Sequence, residues 1–398
     1  MSRVLSGRRS PARAAVAGIG QAVPARFDQR EVWDAFFARH YAGVRAAEQI
    51  FVSSGVASRG AVANPIDEDV SGWGTAARME RYLAEAMPLG KDAVAAALTD
   101  AGLDPSEVGL FAVASCTGYG TPGLDIRLAR DLGMSDKVQR LFVGHMGCYA
   151  AIPGLGAVAD FVAARGRPAV LLCLELPTLH LQPATTEVDQ VVAHALFADA
   201  AAAVVLVPTE PGEDRTGVAA GAAGGVAERD GDGAADSGAG EAGGAGEAGY
   251  SGVEFEVVDV VARTDVSTAE YMTWDVTDIG FRMGLSPRVP AVLARHVRDV
   301  VDGMLTANGL TRTDIDGWAV HPGGRRILEV VGRRLELPVG ALDASYGVLR
   351  DHGNCSSATV LMVLSRLRAA GAVAAGRYAV VMAFGPGLTL YAALLRAR

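Results

Sequence analysis

Two rhythms of apolar and polar positions alternate along the chain. Short segments of strand length cover 14–19, 108–115, 139–143, 169–174 and 200–207. Longer segments with helical spacing of small and apolar residues separate them, at 90–101, 123–132 and 149–164. Strands that are apolar on both faces are buried on both faces, so the pattern predicts a sheet with helices on each side. The same alternation returns near the C-terminus. Strands are expected at 253–261, 317–320 and 378–382, and helices at 290–308, 325–335 and 356–370. The implied fold class is α/β, built from two halves with similar element order.

Between the halves the composition changes. Residues 211–250 are mostly Gly, Ala, Asp and Glu, with almost no large apolar side chains. Such a segment cannot offset its ordering entropy by burial, and reads as a flexible insertion. The expected organisation is therefore an N-terminal half over 1–210, the insertion over 211–250, and a C-terminal half over 251–398.

Half of the 398 residues are hydrophobic and a fifth are charged, enough for a large core. The net charge of −9 argues against general nucleic-acid affinity, which needs phosphate neutralisation. A local basic rim for a small anionic substrate is still possible, and Arg59, Arg325 and Arg326 are its candidates. The four cysteines, Cys116, Cys148, Cys173 and Cys355, are widely spaced. That spacing suits neither a zinc site nor a disulfide framework, and points to a reducing, cytoplasmic setting. No secretory signal is read at the N-terminus, and no membrane span is expected.

Four segments carry chemistry. In Gly144-His145-Met146-Gly147-Cys148-Tyr149 a strand ends, a turn follows, and Cys148 opens an Ala-rich helix. Backbone N–H groups at a helix start favour a thiolate, the nucleophilic form. The bland alternative is a small buried hydrophobe. Val320-His321-Pro322-Gly323-Gly324 delivers a histidine at a strand end, beneath a glycine turn. It can pair with a thiolate and donate to a thioester carbonyl, or be a structural histidine. Gly353-Asn354-Cys355-Ser356-Ser357-Ala358 places an amide at the entry to a helix. Asn354 suits an oxyanion site, though it could simply be a helix cap. Gly385-Pro386-Gly387-Leu388-Thr389 makes a tight turn between the two last strands.

Together, in this order, these segments resemble the type III polyketide synthases, the chalcone-synthase-like branch of the thiolase superfamily. The resemblance covers nearly the whole chain outside the insertion. It implies a thiolase-like, layered αβαβα fold of two similar halves, and a homodimer. It implies that Cys148 takes an acyl starter from CoA, that His321 pairs with the thiolate, and that His321 and Asn354 stabilise the enolate left by decarboxylation of malonyl-CoA. No metal or organic cofactor is implied, because acyl-CoA and malonyl-CoA arrive activated. Phe197 matches the family's gatekeeper, although Ala198 and Ala200 replace its glycines. Met283 falls at the second gatekeeper position. Trp274, Cys116, His180 and Thr121 fall at cavity-lining positions, with Gly385 and Pro386 in the wall. Arg59 is the one basic residue that matches the family's CoA tunnel. Trp274 replaces a small residue and resembles bacterial enzymes that form alkylresorcinols and alkylpyrones. Cys116 resembles bacterial naphthalene-forming relatives instead.

Three other readings compete. A ketoacyl synthase III-like enzyme also uses Cys, His and Asn, but with its His in a His-Gln-Ala-Asn context. A silent scaffold would lack a member of the triad. A Cys–His hydrolase would release free acid without consuming malonyl-CoA.

Overall fold

The structure, a computed structural model, describes residues 13–209 and 254–398. The expected insertion over 211–250 lies outside the described residues. The first half carries β1 (Arg13–Ala22), β2 (Arg26–Asp28), β3 (Ser58–Gly60), β4 (Leu110–Ser115), β5 (Gln139–Gly144), β6 (Ala169–Glu175) and β7 (Ala200–Thr209). The second carries β8 (Phe255–Thr264), β9 (Met272–Thr277), β10 (Gly280–Leu285), β11 (Ile315–Val320), β12 (Tyr378–Gly385) and β13 (Thr389–Ala397). Nine strands form one sheet in the order β11-β12-β13-β8-β1-β7-β6-β4-β5. The halves join where β1 meets β8, through Ala15 with Glu256 and Val16 with Phe255.

The period of two along each strand divides the core into layers. On β4, Leu110, Ala112 and Ala114 face a central cluster, whereas Phe111 and Val113 face an outer one. On β12, Ala379, Val381 and Ala383 face the same central cluster, and Val380, Met382 and Phe384 face the opposite outer one. The helices Ala151–Arg165 and Ser357–Ala369 fill the centre. Helix Thr75–Asp100 covers one outside face, and Val289–Ala307 with Arg325–Leu335 covers the other. This is the layered αβαβα arrangement expected.

Three features differ from the reading of the sequence. The helix expected from residue 90 begins at Thr75 and runs through Pro88 and Gly90. Gly90 lies where Leu128 and Leu174 press on the helix, so an apparent breaker is a packing site. The β9–β10 hairpin and the helices Val188–Leu196 and Asp343–His352 were not anticipated. The segment Gly147–Arg165 does have the length and apolarity of a membrane span. It is instead the start and body of the central helix, whose residues Ile152, Leu155, Val158 and Val162 are buried between the two ends of the sheet.

Helix Thr75–Asp100 lies on β1 so closely that glycine is required beneath it. A Cβ on Gly18 would overlap the carbonyl oxygen of Ala97 and stand 2.8 Å from the amide nitrogen of Ala101. Backbone atoms cannot swing aside, so the whole helix would have to lift. Gly18→Ala should lower the free energy of unfolding by about 3 kcal/mol, the upper part of the usual overpacking range. Urea unfolding of both proteins measures this. A loss below about 1 kcal/mol would mean that the helix is not seated on β1 as described.

Candidate active site

The site forms where several strands end. After β5, the chain enters the left-handed region twice, at His145 (φ 60°) and Gly147 (φ 70°). This throws Cys148 into a single 3-10 turn, Gly147–Tyr149, that runs into the helix Ala151–Arg165. The expected strand–turn–helix context of Cys148 is therefore present. The Gly385–Pro386 segment packs directly on this turn. A Cβ on Gly147 would stand 3.0 Å from Cδ of Pro386, and one on Gly385 would stand 3.4 Å from the Cys148 nitrogen.

His321 continues the ladder beyond β11, its N–H donating to the Met382 carbonyl at 2.8 Å. Its ring is fully buried and meets the edge of Phe384 at 5.8 Å. Cys148 and His321 thus come from different halves and both pack on the end of β12. Neither ring nitrogen of His321 has a hydrogen-bond partner among the described residues.

Asn354 is fixed at three points. Its N–H donates to the Leu196 carbonyl at 2.8 Å, and its carbonyl accepts from Ala198 at 3.0 Å. Its side-chain Oδ1 accepts from the Ser356 N–H at 2.9 Å. The oxygen is thereby occupied, which leaves the NH₂ group as the free donor. That donor and the Ser356 hydroxyl both favour the Cys148 thiolate. Ser356 itself has φ 49°, a left-handed conformation that costs a non-glycine residue about 1–3 kcal/mol.

Burial opposes charge on either member of the pair. It drives the Cys148 thiol up to about 12, against the pull of Ser356, Asn354 and the cysteine's own N–H. It drives the His321 imidazole down to about 3.

The cavity in front of Cys148 encloses about 340 Å³ of empty space including its opening. Cys116, Phe197, Trp274, Met283 and Pro386 line it, as the resemblance implied. Met283 and Trp274 are cross-strand partners on the β9–β10 hairpin, so one unanticipated element supplies two wall residues. Thr117, Pro177, Met272 and Ser356 complete the wall. Neither Ala198 nor Ala200 has positive φ, so alanine fits where the family has glycine.

Four expected site residues are outside this lining: Gly385, whose turn packs on Tyr149 and the Cys148 amide behind the cavity, and three others. His180 is buried behind the wall. Its Nε2 donates to the Thr117 carbonyl (2.7 Å), Nδ1 accepts from Phe281 N–H (2.9 Å), and its ring stacks on Phe281 at 4.4 Å. With both nitrogens engaged it supports Trp274 rather than substrate. Thr121 is exposed on a loop outside the cavity. Arg59 is 3% exposed and belongs to no basic rim. Its guanidinium donates to the carbonyls of His194 (2.5 Å) and Phe197 (2.8 Å) and lies over the rings of Phe27 and Phe37. Arg325 and Arg326 are exposed at the start of their helix, directly after the His321 turn.

Glu175 escaped the reading of the sequence. It is fully buried at the end of β6. Its carboxylate accepts from Thr117 Oγ1 (2.7 Å), Ser357 Oγ (2.7 Å) and the Cys116 N–H (3.0 Å), with the Ser356 hydroxyl at 3.5 Å. Burial raises its pKa, and these donors oppose the rise. A lone acid in the run Leu171-Leu172-Cys173-Leu174-Glu175 was the available signal: a carboxylate at a buried strand end must be ringed by donors.

Two family models cover most of the chain. The N-terminal domain of chalcone and stilbene synthases matches residues 68–211, and the C-terminal domain matches 259–398. The chain is 30% identical over 393 residues to the 3,5-dihydroxyphenylacetyl-CoA synthase of Streptomyces toyocaensis, covering 97% of this chain and 91% of that protein. It is 34% identical over 318 residues to the 1,3,6,8-tetrahydroxynaphthalene synthase of Streptomyces peucetius subsp. caesius, covering 79% and 74%. The crystal structure of PKS-I from the brown alga Ectocarpus siliculosus superposes with a TM-score of 0.82 at 26% identity, covering 98% of this chain and all of that one. The chain belongs to the chalcone and stilbene synthase family and is a type III polyketide synthase.

Proposed function

We propose that Cys148, His321 and Asn354 divide the labour of a decarboxylative Claisen condensation. The Cys148 sulfur attacks the carbonyl of an acyl-CoA, and its proton passes to His321. The C–S bond to CoA breaks, and CoA leaves as the thiol with that proton. Malonyl-CoA then places its thioester oxygen against the His321 ring and the Asn354 NH₂. Its terminal carboxylate departs as carbon dioxide, and the electron pair forms an enolate held by those two donors. The enolate carbon attacks the acyl thioester, the new C–C bond forms, and Cys148 leaves as thiolate. The observation that carries this reading is the buried donor pair. Asn354 has its oxygen tied and its NH₂ turned to the Cys148 sulfur, and His321 has both nitrogens unengaged among the described residues.

The same observation disfavours a Cys–His hydrolase, since no carboxylate among the described residues orients His321. Matching family models disfavour a ketoacyl synthase III-like enzyme and a silent scaffold. The curated relatives are named for a dihydroxyphenylacetyl-CoA, a tetrahydroxynaphthalene and an α-pyrone. An iterative synthase closing a resorcinol, pyrone or related ring is the reading adopted here. Arg325 and Arg326 are proposed as the rim for CoA phosphates. The four cysteines form no disulfide, which suits a reducing cytoplasmic setting. A homodimer is proposed through β5, an edge strand whose Leu141 and Phe142 are 38% and 43% exposed. An edge of this kind invites strand pairing with a second copy.

Incubation with ¹⁴C-malonyl-CoA and a panel of acyl-CoA starters should yield labelled polyketides from the native protein and none from Cys148→Ala. Label incorporated only from malonyl carrier protein would favour the ketoacyl synthase reading. Iodoacetamide trapping of Cys148 tests the pair. Removing the base partner raises the thiol pKa, so His321→Ala should slow trapping at pH 7 by about tenfold or more, one pKa unit being tenfold in thiolate. An unchanged rate would show that His321 does not support the thiolate. Light scattering should give twice the chain mass, and Phe142→Asp should give monomer. A native monomer would remove β5 as the interface.

A further inference from the structure

The β9–β10 hairpin supplies Met272, Trp274 and Met283 to the cavity, yet it belongs to no larger sheet. A two-stranded hairpin has little stability of its own. What it rests on therefore sets where these three side chains stand. The contacts are polar and run to its backbone. Thr75 Oγ1 accepts from the Gly280 N–H at 2.8 Å, and the Thr75 N–H donates to the Asp278 carbonyl at 2.9 Å. Gln182 Nε2 donates to the Phe281 carbonyl at 3.1 Å, and Gln190 Nε2 to the Met283 carbonyl at 2.6 Å.

His180 stands at the centre of this seat. It is buried, and each ring nitrogen reaches a different element. Nδ1 accepts from the Phe281 N–H on the hairpin, while Nε2 donates to the Thr117 carbonyl just beyond β4. The neighbouring carbonyl, that of Cys116, accepts from Trp274 Nε1 at 2.8 Å. The imidazole also lies nearly flat on Phe281, with 10° between the planes, and meets Trp274 edge-on at 5.4 Å. One ring thus closes a circuit from the end of β4 through the hairpin to the indole and back. The backbone that carries it is fixed in turn. The buried Arg78 guanidinium donates to the carbonyls of Leu179 and Leu181, on either side of His180. The hairpin approaches so closely that a Cβ on Gly280 would stand 3.0 Å from Nδ1. Nδ1 accepts only in the neutral ring, and burial favours that form, lowering the pKa to about 4.

We infer that His180 is a positioning residue for polyketide length: by accepting from the Phe281 N–H, it holds the hairpin at the depth where Trp274 ends the cavity. This inference rests on the proposed function and adds what sets its number of extension steps. The cavity encloses about 340 Å³ including its opening, so a displaced indole changes the remaining space by a large fraction. Without His180 the indole loses its edge contact, the hairpin loses an acceptor, and the cavity gains room on that side. The chain on Cys148 then takes further malonyl units before it folds back to close a ring.

The test reads the products of native and variant enzymes by mass, as the ratio of longer to native-length polyketides. A fold defect lowers all products alike, so this ratio reports the cavity. His180→Ala should raise it by about tenfold, the scale on which apolar pockets discriminate by size. Trp274→Ala should raise it too, and the double variant should add little, because residues that act through one another are not additive. His180→Asn can present Oδ1 to the Phe281 N–H, whereas His180→Gln reaches only toward Thr117. Asn should therefore restore the native ratio, and Gln should not. Native-like thermal unfolding qualifies each variant, and the Asn–Gln comparison carries the test if the alanine variant does not fold. A ratio within about twofold of native in folded His180→Ala, full additivity with Trp274→Ala, or equal ratios for Asn and Gln overturns the inference while the proposed function stands. No condensation by the native enzyme with any starter overturns the proposed function, and this inference with it.

Discussion

The turn that carries Cys148 rests on the turn that joins β12 to β13, with the Gly147 position against Pro386 and the Gly385 position against the Cys148 amide. One turn comes from the first half of the chain and the other from the second. This contact joins the three residues of the proposed mechanism across the halves, because Cys148 follows β5 whereas His321 and Asn354 follow β11 and the helix Asp343–His352. Side chains at both glycines would push the turns apart. The remaining architecture serves that meeting point. The central helices Ala151–Arg165 and Ser357–Ala369 both start there, and their packing against both ends of the sheet fixes the register of one half on the other.

Such a site is buried, and burial decides how each polar group is treated. A buried polar group without a partner costs about 1–3 kcal/mol. Glu175 answers with donors from Thr117, Ser357 and Cys116. Asp199 answers with the N–H groups of Val62 and Thr178 and the Thr178 hydroxyl, although burial still raises its pKa to about 7. Arg59 finds carbonyls and aromatic faces. These contacts hold the backbone on either side of Phe197 and behind Cys116. Three left-handed residues, His145, Gly147 and Ser356, mark where the backbone is bent to aim the chemistry.

The sequence made the strands legible because β4, β7 and β12 are apolar on both faces, and burial on both faces leaves a continuous signal. It made Cys148, His321 and Asn354 legible because each sits at a change of element marked by glycine. The helix Thr75–Asp100 was only half legible, since Pro88 and Gly90 carry breaker chemistry that tertiary packing overrides. Arg59 and His180 were misplaced for one reason. A side chain's position in a motif does not tell whether it faces the cavity or the layer behind it, and only the partners it finds decide that. Glu175 was missed because a single acid in an apolar strand has no periodicity to announce it. Its donors Thr117, Cys116 and Ser357 lie 58, 59 and 182 residues away, which no local window joins.

His321 stands apart from this pattern of satisfaction. Both its ring nitrogens, though fully buried, lack a partner among the described residues. A ring in that state is held by shape, through the edge of Phe384 and the backbone bond to Met382, and not by hydrogen bonding. In the mechanism proposed above, the substrate meets a donor that packing already holds in place. A thioester oxygen that accepts from it removes a penalty of about 1–3 kcal/mol, and an enolate oxygen gains more, because its charge is larger in the same buried surroundings. Interactions that strengthen as charge develops are the ones that accelerate a step. Under the proposed mechanism, the group left unsatisfied at rest is thus the one that would favour the enolate over the substrate from which it forms.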